Sequence, residues 1–265
     1  MRFENKTAVV TGGGGVLCSG FSKTLAEAGA KVAVCDLRLE AAEKVAAEIR
    51  ESGGEAMAVE MNVLDKASVE AACAKILEKY GAVDILLNGA GGNNPKGTTT
   101  RDNLTPEEVE ALDADGTIEG VKTFFDLDPE GISFVFNLNF LGTLIPTQVF
   151  ARGMAKTGGT IINVSSMNAF RPLTRIPAYS GAKAAVSNFT QWLAVHFAPV
   201  GIRVNAIAPG FFLTDQNRTL LTNPDGSLTP RADKIISHTP MSRFGVPADL
   251  DGTLLWLADD KVSAF

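Results

Sequence analysis

The stretch TAVVTGGGGVLCSG, residues 7–20, joins an apolar β-branched run to four consecutive glycines and then to a segment that reads as a helix from Leu17 to Gly29. A strand that ends in a glycine-rich turn and feeds a helix has a specific use. The glycines let backbone amides approach an anion closely, and the helix N-terminus adds partial positive charge. A tight turn without a ligand is the alternative reading of these residues alone, so the rest of the chain must decide.

Outward from this stretch the same rhythm repeats. KVAVCD (31–36) reads as a second strand and residues 40–52 as an amphipathic helix; EAMAVEM (55–61) is a third strand, followed by a helix over 66–80 and a fourth strand, VDILLN (83–88). GTIINVSS (159–166), a long helix over about 177–198 and IRVNAIAP (202–209) continue it. Strands that are apolar on both faces and separated by helices indicate a parallel sheet covered on both sides. The expected fold is therefore one α/β domain over residues 1–265, a doubly wound parallel sheet of the Rossmann type. An insertion at about 92–133 breaks the rhythm, with a capped helical start at Thr105 and a D-G turn at Asp115 and Gly116. Its DADG lacks the further ligands of a calcium loop.

The formal charge of −6 is spread along the chain, which argues against nucleic acid or an anionic membrane as main partner and for a small solute. Cys18, Cys35 and Cys73 are odd in number and contain no C-x-x-C pair, so they read as reduced thiols. No secretory signal opens the sequence, and a cytoplasmic location is expected. The most apolar stretch, FVFNLNFLGTLI (134–145), reads as too short, and too interrupted by Asn137 and Asn139, to span a bilayer. His196 and His238 have no ligand cluster around them, so no metal is expected.

A doubly wound sheet binds ligands at the C-terminal edge of its strands. The candidates there for a dinucleotide are Gly12, Gly14, Gly15, Val16 and Leu17 in the glycine turn, Asp36 and Leu37 after the second strand, Asn62 and Val63 after the third, and Asn88, Ala90 and Gly91 after the fourth. Asp36 follows Gly12 by 24 residues, close to the spacing of a carboxylate that accepts from an adenosine ribose. Such a carboxylate repels a 2′-phosphate, so NAD is expected over NADP. AYSGAK (178–183) adds the chemistry. Tyr179 and Lys183 are i and i+4 on one helix face, where an ammonium is expected to lower the phenol's pKa and make it a general acid or base. Ser166, 13 residues before Tyr179, is positioned in sequence to hold a substrate oxygen.

These motifs in this order, TGxxxGxG-like, NxAG, YxxxK and PGxxxT, resemble those of the short-chain dehydrogenases/reductases over nearly the whole chain. The resemblance implies Ser166, Tyr179 and Lys183 as catalytic residues, Asn139 in NLNFLG as the asparagine that holds a relay water, and Pro209, Gly210, Phe212 and Thr214 beside the nicotinamide. Tyr179 and Lys183 would also contact the cofactor, and a homo-tetramer is implied. Three departures stand out: the helix-packing glycine of the turn motif is replaced, by Val16 or Cys18 depending on register, Asn62 replaces an Asp, and family members continue past a point equivalent to LADDKVSAF into a last strand and a glycine-rich tail, so a further segment is expected.

Within the family, TGGGGVLC, NGAGGNNP and NLNFLGTLIPTQVF most resemble the D-mannonate oxidoreductase (fructuronate reductase) type. That implies D-fructuronate + NADH + H⁺ ⇌ D-mannonate + NAD⁺. Such a sugar acid needs a cation for its carboxylate and amides or hydroxyls for its alcohols. Asn93, Asn94, Asn168, Arg171, Arg175, Asn217 and Arg218 are the candidates. Met154, Met167 and Met241 with Phe211 and Phe212 would instead suit an apolar substrate. Gluconate 5-dehydrogenase-like and 3-oxoacyl reductase-like activities, and a non-catalytic NAD-binding regulator, are the alternatives.

Overall fold

The computed structural model describes residues 2–112, 116–214 and 217–263. Alternation along each strand decides its architecture. In β1 (Thr7–Thr11), Ala8 and Val10 point into one core and Val9 into another; β2 (Lys31–Asp36) divides Val32 and Val34 from Ala33 and Cys35 in the same way. Because successive side chains leave opposite faces, a strand apolar at every position needs helices on both sides. One core is closed by α1 (Val16–Glu27), α2 (Leu39–Glu51) and α10 (Asp251–Ala258), the other by α3 (Lys66–Tyr80), α6 (Gly142–Met154) and α7 (Pro177–Phe197).

With β3 (Glu55–Glu60), β4 (Ile85–Asn88), β5 (Gly159–Val164) and β6 (Ile202–Ile207), the six strands among the described residues run in the order β3-β2-β1-β4-β5-β6, every pair parallel. The chain winds outward from β1 to β3, crosses back through α3 and winds the other way from β4. The crevice of a doubly wound sheet opens at that reversal, between β1 and β4. Strand and helix ends fall within one or two residues of those read from the sequence, the uncertainty inherent in fraying ends. Asp65 caps α3 by accepting from the Ala67 amide.

FVFNLNFLGTLI is a larger helical element than the sequence reading allowed. α5 (Pro129–Phe136), a π-helical turn over Asn137–Leu141, and α6 form 26 consecutive helical residues, long and apolar enough to cross a membrane by length and composition. Asn137 and Asn139 do not interrupt it; the wider turn accommodates them. Half of its apolar window is buried: Phe150 and Met154 lie under the sheet, Thr143 and Thr147 satisfy buried hydroxyls on carbonyls four residues back, and Phe134, Phe136 and Leu141 are exposed.

Between β4 and α5, Thr105 and Glu108 form the expected capping box at the start of α4 (Pro106–Glu110), and Thr100 and Lys122 bond to each other across the segment. Gly116 takes a positive φ of 77°, as a turn requires; Asp115 lies outside the described residues. No group of three His, Cys, Asp or Glu side chains among the described residues could hold a metal. After β6, α8 (Arg218–Leu221) and α9 (Pro230–Ser237) form an excursion that leaves at Phe212 and returns at Gly245, where these two residues bridge side by side.

Candidate functional site

Every strand of the sheet delivers part of one site at its C-terminal end. After β1 the chain turns at Gly12, whose φ of +64° is left-handed and whose missing Cβ would lie 2.9 Å from the Ala90 Cα. The turns after β1 and β4 therefore touch backbone to backbone. Thr11, fully buried at the end of β1, holds them together: its hydroxyl accepts from the Gly89 and Ala90 amides. Sequence reasoning missed Thr11, although its place at a strand end before glycines was the available signal.

Gly15 caps α1 in extended conformation without a side chain, and Val16 and Leu17 open the helix. The side chain of Cys18 has a structural counterpart in Gly89. A Cβ on Gly89 would lie 2.1 Å from the Cys18 Sγ, so the thiol fills the space that residue 89 leaves. Burial pushes that thiol up to about 12. The Asp36 carboxylate at the end of β2 faces the glycine turn, accepting from the Gly14 amide at 3.0 Å and the Arg38 amide at 3.0 Å. Leu37 beside it is exposed. Asn62 is exposed with its Oδ1 accepting from the Leu64 amide, whereas Val63 is buried against Gly142. The open glycine cradle, the carboxylate beside it and the helix N-terminus fit a dinucleotide's pyrophosphate and ribose.

Asn88, expected near the adenosine, ends β4 with its side chain turned into the fold. Its amide is buried and donates to Thr147 Oγ1 and Asn163 Oδ1, each at 2.9 Å, while Asn163 donates in turn to Thr190 on α7. Its Oδ1 is buried without a partner among the described residues.

On the other side of the crevice lie Ser166, after β5, and Tyr179 and Lys183, in the first two turns of α7. Ser166 is buried, its Oγ accepts from the Asn168 amide at 3.2 Å, and it faces the Tyr179 hydroxyl closely enough to favour the ionised phenol. The Lys183 ammonium lies 5.7 Å from the centre of the Tyr179 ring, on the same face, and donates to the Val164 carbonyl at 2.7 Å. The electrostatics differ from the sequence expectation. Burial raises the Tyr179 phenol above its ordinary value, and the opposing influence is the Ser166 hydrogen bond, not Lys183. The reason is physical: Lys183 is itself buried, which lowers it from 10.5 to about 8, and its Nζ is drawn to a carbonyl. In this state Tyr179 is held as a neutral acid.

Asn139, fully buried in the π turn, donates to the Gly92 carbonyl at 2.8 Å and the Val135 carbonyl at 2.8 Å. Its side chain thus anchors the turn after β4. A Cβ on Gly91 would lie 2.6 Å from Asn139 Oδ1 and 3.2 Å from Lys183 Nζ, so these three positions converge. Pro209 is buried, with its carbonyl accepting from the Met167 amide; Gly210 is exposed and Phe212 packs on Gly245. Thr214 donates its amide to Asn217 Oδ1.

The substrate candidates separate into two groups. Asn217 is occupied by the Thr214 amide and the Phe212 carbonyl, Asn94 by the Lys96 amide, and Arg175 by Asp102, which leaves these three with structural bonds the sequence did not reveal. Asn93 bonds Thr98 at the surface, and Arg171 and Arg218 are exposed. Asn168, beside Ser166, is buried with its Oδ1 lacking a partner among the described residues. Met154 is a core residue and Met241 is largely exposed, so the apolar-pocket set does not assemble.

Comparison with known proteins agrees with this geometry. Residues 6–225 match the family model described as short chain dehydrogenase. An uncharacterized oxidoreductase of Haemophilus influenzae is 57% identical over 100% of this chain and 90% of its own length, and one of Bacillus subtilis is 52% identical over 100% and 91%. A crystal structure with bound NAD, provisionally described as a D-mannonate oxidoreductase from Haemophilus influenza, superposes with a TM-score of 0.91 at 54% identity, covering 100% of this chain and 91% of the other. The glycine turn, the serine–tyrosine–lysine group and these likenesses lead to one conclusion: the chain belongs to the short-chain dehydrogenase family of oxidoreductases.

Proposed function

We propose that the protein is an NAD-dependent enzyme that interconverts D-fructuronate and D-mannonate. The observation that carries the reading is the convergence of Ser166, Tyr179 and Lys183 at the strand edge that also presents the glycine turn and Asp36. The NAD bound to the 54%-identical structure supports the cofactor, and Asp36 supports NAD over NADP because a 2′-phosphate would meet its carboxylate. The adenosine end would rest on Gly12, Gly14, Gly15, Asp36 and Leu37, and the nicotinamide end on the turn from Pro209 to Thr214.

Bound NADH supplies the hydride to the ketone carbon. Ser166 holds the ketone oxygen, and Tyr179 gives its hydroxyl proton to that oxygen as charge develops there. Burial, by keeping Tyr179 protonated, suits it to the reducing direction. Lys183, the buried ammonium on the same helix face, returns a proton to the phenolate left behind. Asn139 keeps the turn after β4 at the distance the ribose needs, through its bonds to Gly92 and Val135.

A homo-oligomer is part of the proposal. Trp192 and Val195 on α7 are largely exposed, and Trp192 stacks between Phe189 and His196, a surface suited to a second subunit. The activity is tested by following NADH absorbance with D-fructuronate, 5-ketogluconate and a 3-oxoacyl thioester, each with NADH and NADPH. Preferred turnover of fructuronate with NADH is expected. Turnover of another ketone in its place refutes the substrate, and NAD binding without any turnover refutes catalysis in favour of a regulator.

A further inference from the structure

The excursion between Phe212 and Gly245 carries α9 across to the segment after β4. There Asp102 bridges two cations from distant elements: Arg175 Nε to one carboxylate oxygen at 2.8 Å, and Lys234 Nζ to the other at 2.8 Å. Arg175 stands four residues before Tyr179, and its carbonyl accepts from the Thr99 amide, so this cluster borders the substrate side of the site. Arg231 lies three residues before Lys234 on α9, and positions i and i+3 share a helix face. It is part-buried, yet it forms no hydrogen bond or ion pair among the described residues. Burial weighs most against its charge, with Arg175 adding to that and Asp102 opposing it.

Two cations therefore take both oxygens of Asp102, and Arg231, one helical turn from Lys234, has no carboxylate of its own among the described residues. A part-buried guanidinium next to another cation is costly without an anion of its own. We propose that Arg231 is the specificity-determining residue that seats the substrate's carboxylate, with Arg175 and Lys234 held alongside by Asp102. The inference rests on the sugar-acid reading given above and adds the residue that sequence reasoning did not find. In fructuronate the carboxylate is at the far end of the chain from the keto carbon, so its seat belongs at the rim of the site and not beside Tyr179. A guanidinium suits it because its fork can grip both oxygens.

The test compares KM for D-fructuronate with KM for D-fructose, which has a hydroxymethyl group in place of the carboxylate, in the full-length wild type and in Arg231→Gln. Wild type should favour the acid. In Arg231→Gln the KM for the acid should rise roughly 10- to 100-fold, the loss of one hydrogen-bonded charge, while that for fructose and for NADH moves far less. Arg231→Lys keeps the charge but not the fork and should fall between the two; it also serves if the glutamine variant does not fold. An unchanged acid-to-neutral ratio in the variants, with a wild type that favours the acid, overturns the role of Arg231 alone. A wild type without preference for the acid overturns the sugar-acid reading as well.

Discussion

Replacing Lys183 with methionine should change the pH dependence of stability in a way set by the burial of its amine. The drop from 10.5 to about 8 corresponds, at 1.36 kcal/mol per pH unit, to about 3 kcal/mol of penalty on the charged form in the folded protein. Between about pH 8 and 10.5 the folded amine has released its proton while the unfolded chain still holds one. At this group the unfolded state then binds more protons, so the contribution of Lys183 to wild-type stability rises with pH across that window. Below it the penalty is felt in full; above it the penalty is gone. Lys183→Met has no such penalty at any pH. It leaves the Val164 carbonyl without its donor, a cost of about 1–3 kcal/mol that does not vary with pH. The stability of the variant relative to wild type should therefore fall by about 3 kcal/mol between pH 7 and 10.5. Cys18, whose thiol is pushed up to about 12 in the fold, also contributes in this window because it ionises in the unfolded chain, but it does so in both proteins and leaves their difference to Lys183. Urea unfolding of both proteins across this range measures it. A difference that stays constant with pH would refute the claim that the buried amine gives up its proton early.

Tyr179→Phe removes the proton donor but keeps the ring. It should cut turnover by roughly 100-fold or more while leaving NADH affinity, read by fluorescence titration, nearly intact. Asp36→Asn keeps an acceptor for the Gly14 amide and removes the charge, so the preference for NADH over NADPH should shrink by about tenfold or more; an unchanged ratio of kcat/KM values would rule out the ribose contact. Gly89→Ala should destabilise the fold by driving a methyl into Cys18, and Cys18→Gly should restore it in the double variant despite costing about 1 kcal/mol on its own in α1. Thermal melts of the four proteins give the coupling, and additive effects would disprove the contact.

The parallel sheet was legible because Val9, Val10, Val32 to Val34 and Leu86 are apolar on both faces, and such runs separated by helices have few other uses. The site's main positions were legible because Asp36, Ser166, Tyr179 and Lys183 follow strand ends or share a helix face, relations fixed by local geometry. The direction in which Tyr179 is perturbed was not, since spacing places a lysine near a phenol but says nothing of how much water surrounds either. The Asp102 cluster was equally hidden: Lys234 follows its partner by 132 residues, and only the folded chain brings them together. The inward turn of Asn88 depends on its register against Asn163, which is settled by sheet pairing.

The chain of amide and hydroxyl groups from Asn88 through Asn163 to Thr190 has a mechanical meaning. An apolar helix face can roll on a sheet with little loss of contact, because dispersion is indifferent to direction, whereas a buried hydrogen bond fails after a small rotation. Thr190 thus keys the azimuth of α7 from about three turns below Tyr179, and the aim of the phenol is set in part by a threonine at the sheet.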